Sequence, residues 1–129
     1  MPPNRKRAPD PARLAAEVRG RRAETWAVAL LICKGYRVLG RRVKTHAGEI
    51  DLIARSPTGL VCFIEVKARD LHEQAGESIL PRQQARIARA AEHYLVSRPH
   101  LRAKGVRFDA VLVAKGKIPR HVRDAWRPE

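Results

Sequence analysis

The residues of this chain that could do chemistry are concentrated in two short segments, Gly48-Glu49-Ile50-Asp51 and Glu65-Val66-Lys67. Side chains on a strand alternate between faces, so Glu65 and Lys67 share one face, about 7 Å apart. Glu49 and Asp51 share a face in the same way. Between the segments, Arg55-Ser56-Pro57-Thr58-Gly59 carries the Pro and Gly of a hairpin turn. That turn predicts Ala54 opposite Leu60, Asp51 opposite Phe63 and Glu49 opposite Glu65. Any register slipped by an even total keeps these side chains on one face. Clustered carboxylates raise one another's pKa, and a divalent cation relieves them. Mg²⁺ takes one or two carboxylates with water and phosphate oxygens. A nearby ammonium that orients water completes the parts of a metal-dependent phosphodiesterase. A plainer reading stands beside this one: alternating charged and apolar residues also describe a half-exposed strand with cross-strand ion pairs. Against it, Leu60-Val61-Cys62-Phe63-Ile64 is apolar on both faces, as in a buried central strand with Glu65 and Lys67 at its end.

The elements that must position these groups can be read from periodicity. Ala23, Trp26, Ala27, Leu30 and Leu31 recur at helical spacing, predicting a helix from about Arg19 to Lys34 with Glu24 on the flank of its apolar stripe. Gly35 stops it. Strands are expected at Tyr36–Arg42, Glu49–Ala54, Leu60–Lys67 and Val106–Ala114. A loop covers residues 70–80, and a second helix begins at Pro81 with Ile87, Ala88, Ala91, Tyr94 and Leu95 as its stripe. The order α-β-β-β-α-β predicts an α/β domain with a mixed sheet. Residues 1–13, with four prolines and four basic residues, form a flexible basic arm ahead of a single domain over 14–129.

Charge narrows the partner. Among 129 residues, 27 Lys and Arg face 13 Asp and Glu, a net +14. The excess sits at the ends: +5 over residues 1–22, +1 over 23–80 and +8 over 81–129. Such a surface suits a polyanion, nucleic acid first, and acids gathered at the centre of a polycation suit a metal. Arg82, Arg86, Arg89 and Arg98 lie on the polar side of the second helix, as phosphate contacts or as a solvated face. Trp26 is expected in the core, with base stacking as the alternative, and Tyr36 is expected in the core. Trp126 either docks on the domain or meets a partner, Asp109 makes a strand-end ion pair or supports the site, and His46 is a loop residue near it. Cys33 and Cys62, in apolar stretches without Cys-x-x-Cys spacing, read as core residues of a reducing compartment. The longest apolar run, Trp26–Cys33, has eight residues, far short of a membrane span. The expected location is the cytoplasm.

The run Gly48-Glu49-Ile50-Asp51-Leu52-Ile53-Ala54, a hairpin, and Phe63-Ile64-Glu65-Val66-Lys67-Ala68-Arg69 resembles the YraN-like family of small bacterial proteins. Gly20…Ala23-Glu24, Gly35-Tyr36 and Arg107-Phe108-Asp109 fit it too, so the resemblance covers about residues 17–127. That family is similar to the restriction-endonuclease-like superfamily, with its Asp…Glu-x-Lys signature, and within it to the archaeal Holliday junction resolvases. The resemblance implies a restriction-endonuclease-like fold, a central mixed β-sheet flanked by helices. It implies Asp51 and Glu65 as ligands of Mg²⁺ or Mn²⁺, with Glu24 completing the metal shell. Lys67 would orient water or stabilise charge, and Glu49 would either ligate the metal directly or take an outer-shell or structural role. Arg69, Arg82, Arg86 and Arg89 would contact nucleic acid. The chain departs from the pattern at Ile50, where the superfamily often has Pro, and at Gln83 or Gln84, where the family often has Lys. The expected function is metal-dependent endonucleolytic cleavage of structured or branched DNA, in a homodimer because a junction presents two symmetric strands. The alternative is a non-catalytic nucleic-acid-binding module on the same fold.

Overall fold

The computed structural model describes residues 10–69 and 79–128, Arg69 by its backbone alone. Helix α1 spans Pro11–Cys33, capped by the Asp10 carboxylate, which accepts from the Ala12 N–H at 3.1 Å. A capping Asp followed by Pro at the first helical position is a strong start signal. It carries the helix back from the expected Arg19 and claims Pro11–Arg13 from the predicted arm. Residues 1–9 of that arm lie outside the described residues. Toward the sheet α1 buries Ala23, Glu24, Ala27 and Leu31. These lie four residues apart or adjoining, and the alanines let the helix sit close. Trp26, expected in the core, lies one position round from that row and is 61% exposed. Cys33 is exposed as well, whereas Cys62 is buried.

Five strands follow: β1 (Arg37–Thr45), β2 (Gly48–Arg55), β3 (Val61–Arg69), β4 (Val106–Ala114) and β5 (Arg120–Val122). Helix α2 (Pro81–Val96) and a short 3-10 turn (Pro99–Lys104) come between β3 and β4. The sheet order is β1-β2-β3-β4-β5, antiparallel except for the β3–β4 pair. A parallel pair needs a crossover, and α2 supplies it. The α-β-β-β-α-β order is as expected, with β5 an added short edge strand. This is the mixed sheet flanked by helices of a restriction-endonuclease-like fold.

Each face of the sheet has its own core. On one, Ile53, Phe63 and Phe108 pack with Ile87, Ala91 and Tyr94 of α2, and Trp126 lies over Phe108 with ring centroids 4.3 Å apart. The C-terminal tail thus docks on the domain. On the other, Leu52, Cys62, Ile64 and Val111 pack with Ala27 and Leu31 of α1, and Tyr36 joins them. Full burial of a side chain such as Phe63 stabilises by roughly 1.5–3 kcal/mol, so the two layers fix β3 between them. No described helix is long and apolar enough to cross a membrane.

The β2–β3 turn is tighter than expected. Ser56 N–H donates to the Leu60 carbonyl at 2.8 Å, and Leu60 N–H donates to Ser56 Oγ at 3.0 Å. Only Pro57-Thr58-Gly59 therefore turns, with Gly59 at φ +96°. Pairing runs from Arg55 opposite Val61 to Leu52 opposite Ile64. Each residue of β2 meets a partner two positions further along β3 than the sequence predicts. The slip is even, so the faces are kept.

Candidate active site

The β2–β3 ladder ends at Leu52–Ile64, and the site begins where it ends. Continued by one pair, that register sets Asp51 opposite Glu65, correcting the expected pairing of Glu49 with Glu65. The next backbone N–H of β3, on Val66, donates to Asp51 Oδ2 at 2.8 Å. A buried N–H must find an acceptor, and a carboxylate here takes the place of a strand carbonyl. The two carboxyl groups act on each other directly, and the charge of Asp51 raises Glu65. Glu49, by contrast, is exposed and stands opposite Lys44 on β1.

Electrostatically the pair is under strain. Burial, then the charge of Asp51, raises the Glu65 carboxyl to about 7, with Lys67 and Arg86 pulling the other way. Burial also raises Asp51, opposed by the Val66 N–H and reinforced by the charge of Glu24. Near neutrality the two carboxyls therefore tend to share a proton. Such a donor set fits Mg²⁺ or Mn²⁺, which needs only one or two protein carboxylates and replaces the proton with a larger charge. Among the described residues no three His, Cys, Asp or Glu side chains form a cluster able to hold an ion. The candidate metal centre is the open Asp51–Glu65 pair.

Lys67 shares the face of Glu65, and its Nζ donates to Gln83 Oε1 at 3.1 Å, from the first turn of α2. Gln83 thus fixes the ammonium. One turn on, Arg86 leans across Gly48, where a Cβ would stand 2.9 Å from Arg86 Cγ at a φ of +146°. Only glycine lets that arginine approach. Arg82, Arg86 and Arg89 are exposed and follow i, i+4, i+7 spacing, a basic stripe leading away from the site along α2. The side chain of Arg69 lies outside the described residues.

Glu24 is buried beside the pair with both oxygens engaged. Arg41 Nε donates to Oε1 at 3.0 Å and Arg42 Nε to Oε2 at 2.8 Å. Consecutive strand residues ordinarily point to opposite faces. Arg42 sits at φ +47°, in the left-handed region, between the Arg41–Leu52 and Val43–Ile50 pairs. That conformation costs a non-glycine residue roughly 1–2 kcal/mol and breaks the alternation, so both arginines reach one carboxylate. Across the ladder, β2 breaks step too: Ile50 and Ile53 lie in the same core. The break falls at Asp51. Arg41 and Arg42 carry no motif of their own, and only the register across from Asp51 reveals them. Gln83 is visible in the sequence solely as a departure from Lys.

On the sheet's other face lies a second buried carboxylate, Asp109. Arg107 grips it with Nε at 2.8 Å and Nη2 at 2.9 Å, the Asp124 N–H donates at 2.9 Å, and His121 Nε2 lies 2.8 Å away. Lys34 Nζ meets His121 Nδ1. An ammonium has only protons to give, so Nδ1 accepts and the Nε2–H donates to Asp109. Burial alone would raise Asp109, but these donors hold its carboxyl below the ordinary range. The Cys62 thiol alongside is pushed up to about 12 by burial and then by Asp109. The strand-end ion pair foreseen at Asp109 is present.

The family model of the Uncharacterised protein family UPF0102 matches residues 23–113, from α1 to the end of β4. The chain belongs to the UPF0102 family. A UPF0102 protein of Parvibaculum lavamentivorans is 54% identical over 115 residues, covering 89% of this chain and 86% of the relative. One from Maricaulis maris is 52% identical over 91% of each. One from Paramagnetospirillum magneticum is 49% identical over 92% of this chain and 95% of its own. These UPF0102 relatives are bacterial, and the matched span contains Glu24, Asp51, Glu65, Lys67 and the α2 arginines. It is the YraN family that the motifs resemble.

Proposed function

We propose that this UPF0102 protein is a metal-dependent endonuclease acting on structured or branched DNA. The observation that carries the reading is the Asp51–Glu65 pair, crowded enough to hold Glu65 near 7 beside the Gln83-bound Lys67 ammonium, in a chain of net charge +14. Asp51 and Glu65 would hold Mg²⁺ or Mn²⁺, which when bound polarises a phosphodiester oxygen and acidifies a water. Lys67 keeps a fixed positive charge beside Glu65, where it orients the attacking water or offsets developing negative charge. Arg82, Arg86 and Arg89, with Arg69, neutralise backbone phosphates and set the strand's direction across the site. Glu24 would join the metal shell through lone pairs that Arg41 and Arg42 leave open. In its observed pairing it holds β1 against α1 and adds to the field on Asp51. The protein acts in the cytoplasm, as a homodimer when two strands of a junction must be cut.

The experiment is a cleavage panel of single strand, duplex, flap and four-way junction, each with Mg²⁺, Mn²⁺ or EDTA. Wild type is run beside Asp51→Ala and Lys67→Ala prepared identically. Metal-dependent cutting lost in both variants is the expected result, with a branched substrate cut best. Cutting that survives in both would be a contaminant and would overturn the reading. The absence of a third clustered ligand among the described residues favours a second reading, a binding module without chemistry. It predicts tight binding with no cutting. Either way affinity falls by orders of magnitude between ~50 and ~200 mM salt when several phosphates are neutralised. Light scattering with and without junction DNA tests the dimer.

A further inference from the structure

A groove of about 1110 Å³ opens between α1 and the segment that follows β4. Its floor is apolar: Trp26 and Leu30 of α1, Val113 of β4, and Ile118, which is 85% exposed. Arg19, Arg22, Lys115 and Lys117 border it, and no carboxylate among the described residues does. Of these, Arg22, Lys115 and Lys117 make no ion pair among the described residues, and the groove on the α2 side is different. There Arg102 pairs with Glu92, Arg107 with Asp109 and Arg127 with Asp124. The wall of the α1 groove includes Ala68, the residue after Lys67, on the opposite face of β3.

We infer that this groove receives an unpaired segment of nucleic acid, one base stacking on the Trp26 indole and the flanking phosphates meeting the bordering cations. The inference rests on the nucleic-acid reading above and deepens it by naming the substrate as partly single-stranded. A duplex offers phosphates but buries the faces of its bases, and so leaves an apolar floor unused. An unpaired base presents a π-face to an exposed aromatic. A second copy of this chain is the other candidate occupant. An isologous dimer presses the same patch against itself and would set Arg22, Lys115 and Lys117 against their own copies. A polyanion meets no such repulsion.

The test is binding of a labelled 15-nucleotide oligo(dT) and of a hairpin duplex of equal length, by anisotropy in EDTA at fixed salt. Wild type is compared with Trp26→Ala and Trp26→Tyr. Position 26 is exposed, so both variants fold. Trp26→Ala is expected to weaken oligo(dT) binding about tenfold and duplex binding less than twofold, and Trp26→Tyr to recover most of the loss. Equal losses on both ligands, or none on oligo(dT), would overturn the inference. So would light scattering that shows Trp26→Ala turning a dimer into a monomer. Binding in EDTA is independent of cutting. Trp26-dependent oligo(dT) binding without cleavage keeps this inference and removes the catalytic one, while cleavage with Trp26-independent binding does the reverse.

Discussion

The sheet carries a buried acidic centre on each face, and the two are built on opposite plans. Asp109 is fully buried, and every charge it brings is answered: a two-pronged arginine, a histidine N–H and a backbone N–H converge on two oxygens. Asp51 and Glu65 are less buried but face each other, with one backbone N–H between them and Glu24 close by. Burial acts on all three carboxyls, yet Asp109 ends below its ordinary range and Glu65 near 7. Burial alone does not set the direction in which a carboxyl shifts; the donors and charges that meet it do. The Asp109 network holds the start of β4 to α1's C-terminal end and the tail. The Asp51–Glu65 pair has one backbone N–H donor and a raised Glu65.

The largest effect that could break this contrast is on stability. Asp109→Ala removes one partner of a buried network and leaves Arg107 without its counter-ion, a change that typically costs 3–5 kcal/mol. Urea unfolding should show a loss in that range. Asp51→Asn removes a charge the fold tolerates poorly, so metal-free protein should be as stable as wild type or gain about 1 kcal/mol. Equal losses in the two variants would mean that both centres are structural.

The pH dependence sharpens the same contrast. Glu65 has a folded pKa raised from 4.5 to about 7, so between those values the native state holds a proton that the unfolded chain has released. Its contribution is therefore full below about pH 4.5 and is lost as pH rises through about 7. With solvent reaching the pair, the loss is on the order of 1–2 kcal/mol. Asp109 has the opposite sign: its pKa is lowered, so its contribution is lost as pH falls below the ordinary carboxyl range. The difference in unfolding free energy between wild type and Glu65→Gln, followed from pH 4 to 8 in EDTA, isolates the first effect. A flat difference would remove the crowded pair.

Much of this was legible before the structure, and the failures have causes. Strand alternation, the Pro-Gly turn and Pro81 placed β2, β3 and α2, and Val106–Ala114 is β4 residue for residue. The first two turns of α1 were missed because they are exposed throughout and carry no apolar stripe. Trp26 was placed in the core because two candidate rows, 23/27/31 and 26/30, differ by one position, and only packing against the sheet chooses the alanine row. In the site, Asp51, Glu65 and Lys67 followed from residue type and parity. The Arg41–Arg42 grip on Glu24 did not, since it depends on one left-handed residue in β1. The turn is shorter than the sequence predicts by two residues, both on the β2 side, which moves Glu49 out of the pair and Asp51 into it.

Metal binding gives the third test. A cation that binds only the folded state stabilises it by about 1.4 kcal/mol at roughly tenfold excess over its Kd. Mg²⁺ or Mn²⁺ should raise the melting temperature of wild type at pH 8, above the Glu65 value of about 7. The rise should shrink toward pH 5, as protons compete for the same oxygens. Asp51→Asn should abolish it, and so should Glu65→Gln. A rise that persists in both variants would place the cation elsewhere.

The smallest effect expected is the most discriminating for Lys67. Gln83 is half-buried at the start of α2 and accepts a hydrogen bond from Lys67 at 3.1 Å. Gln83→Ala removes a single hydrogen bond to a charged group at a partly solvated position, which is worth about 1 kcal/mol or less in stability. Its metal-induced shift should remain, because neither carboxylate is touched. If Lys67 acts as a positioned ammonium, cleavage of the preferred substrate should fall several-fold in kcat with little change in KM, since the alanine leaves the charge present but unfixed. Gln83→Glu holds the ammonium more tightly and adds a negative charge, so it should also lower kcat while restoring the stability. A Gln83→Ala variant that cuts as fast as wild type would show that Lys67 needs no anchor, and that on this face, unlike at Asp109, the hydrogen bonds around a charge are incidental to what the charge does.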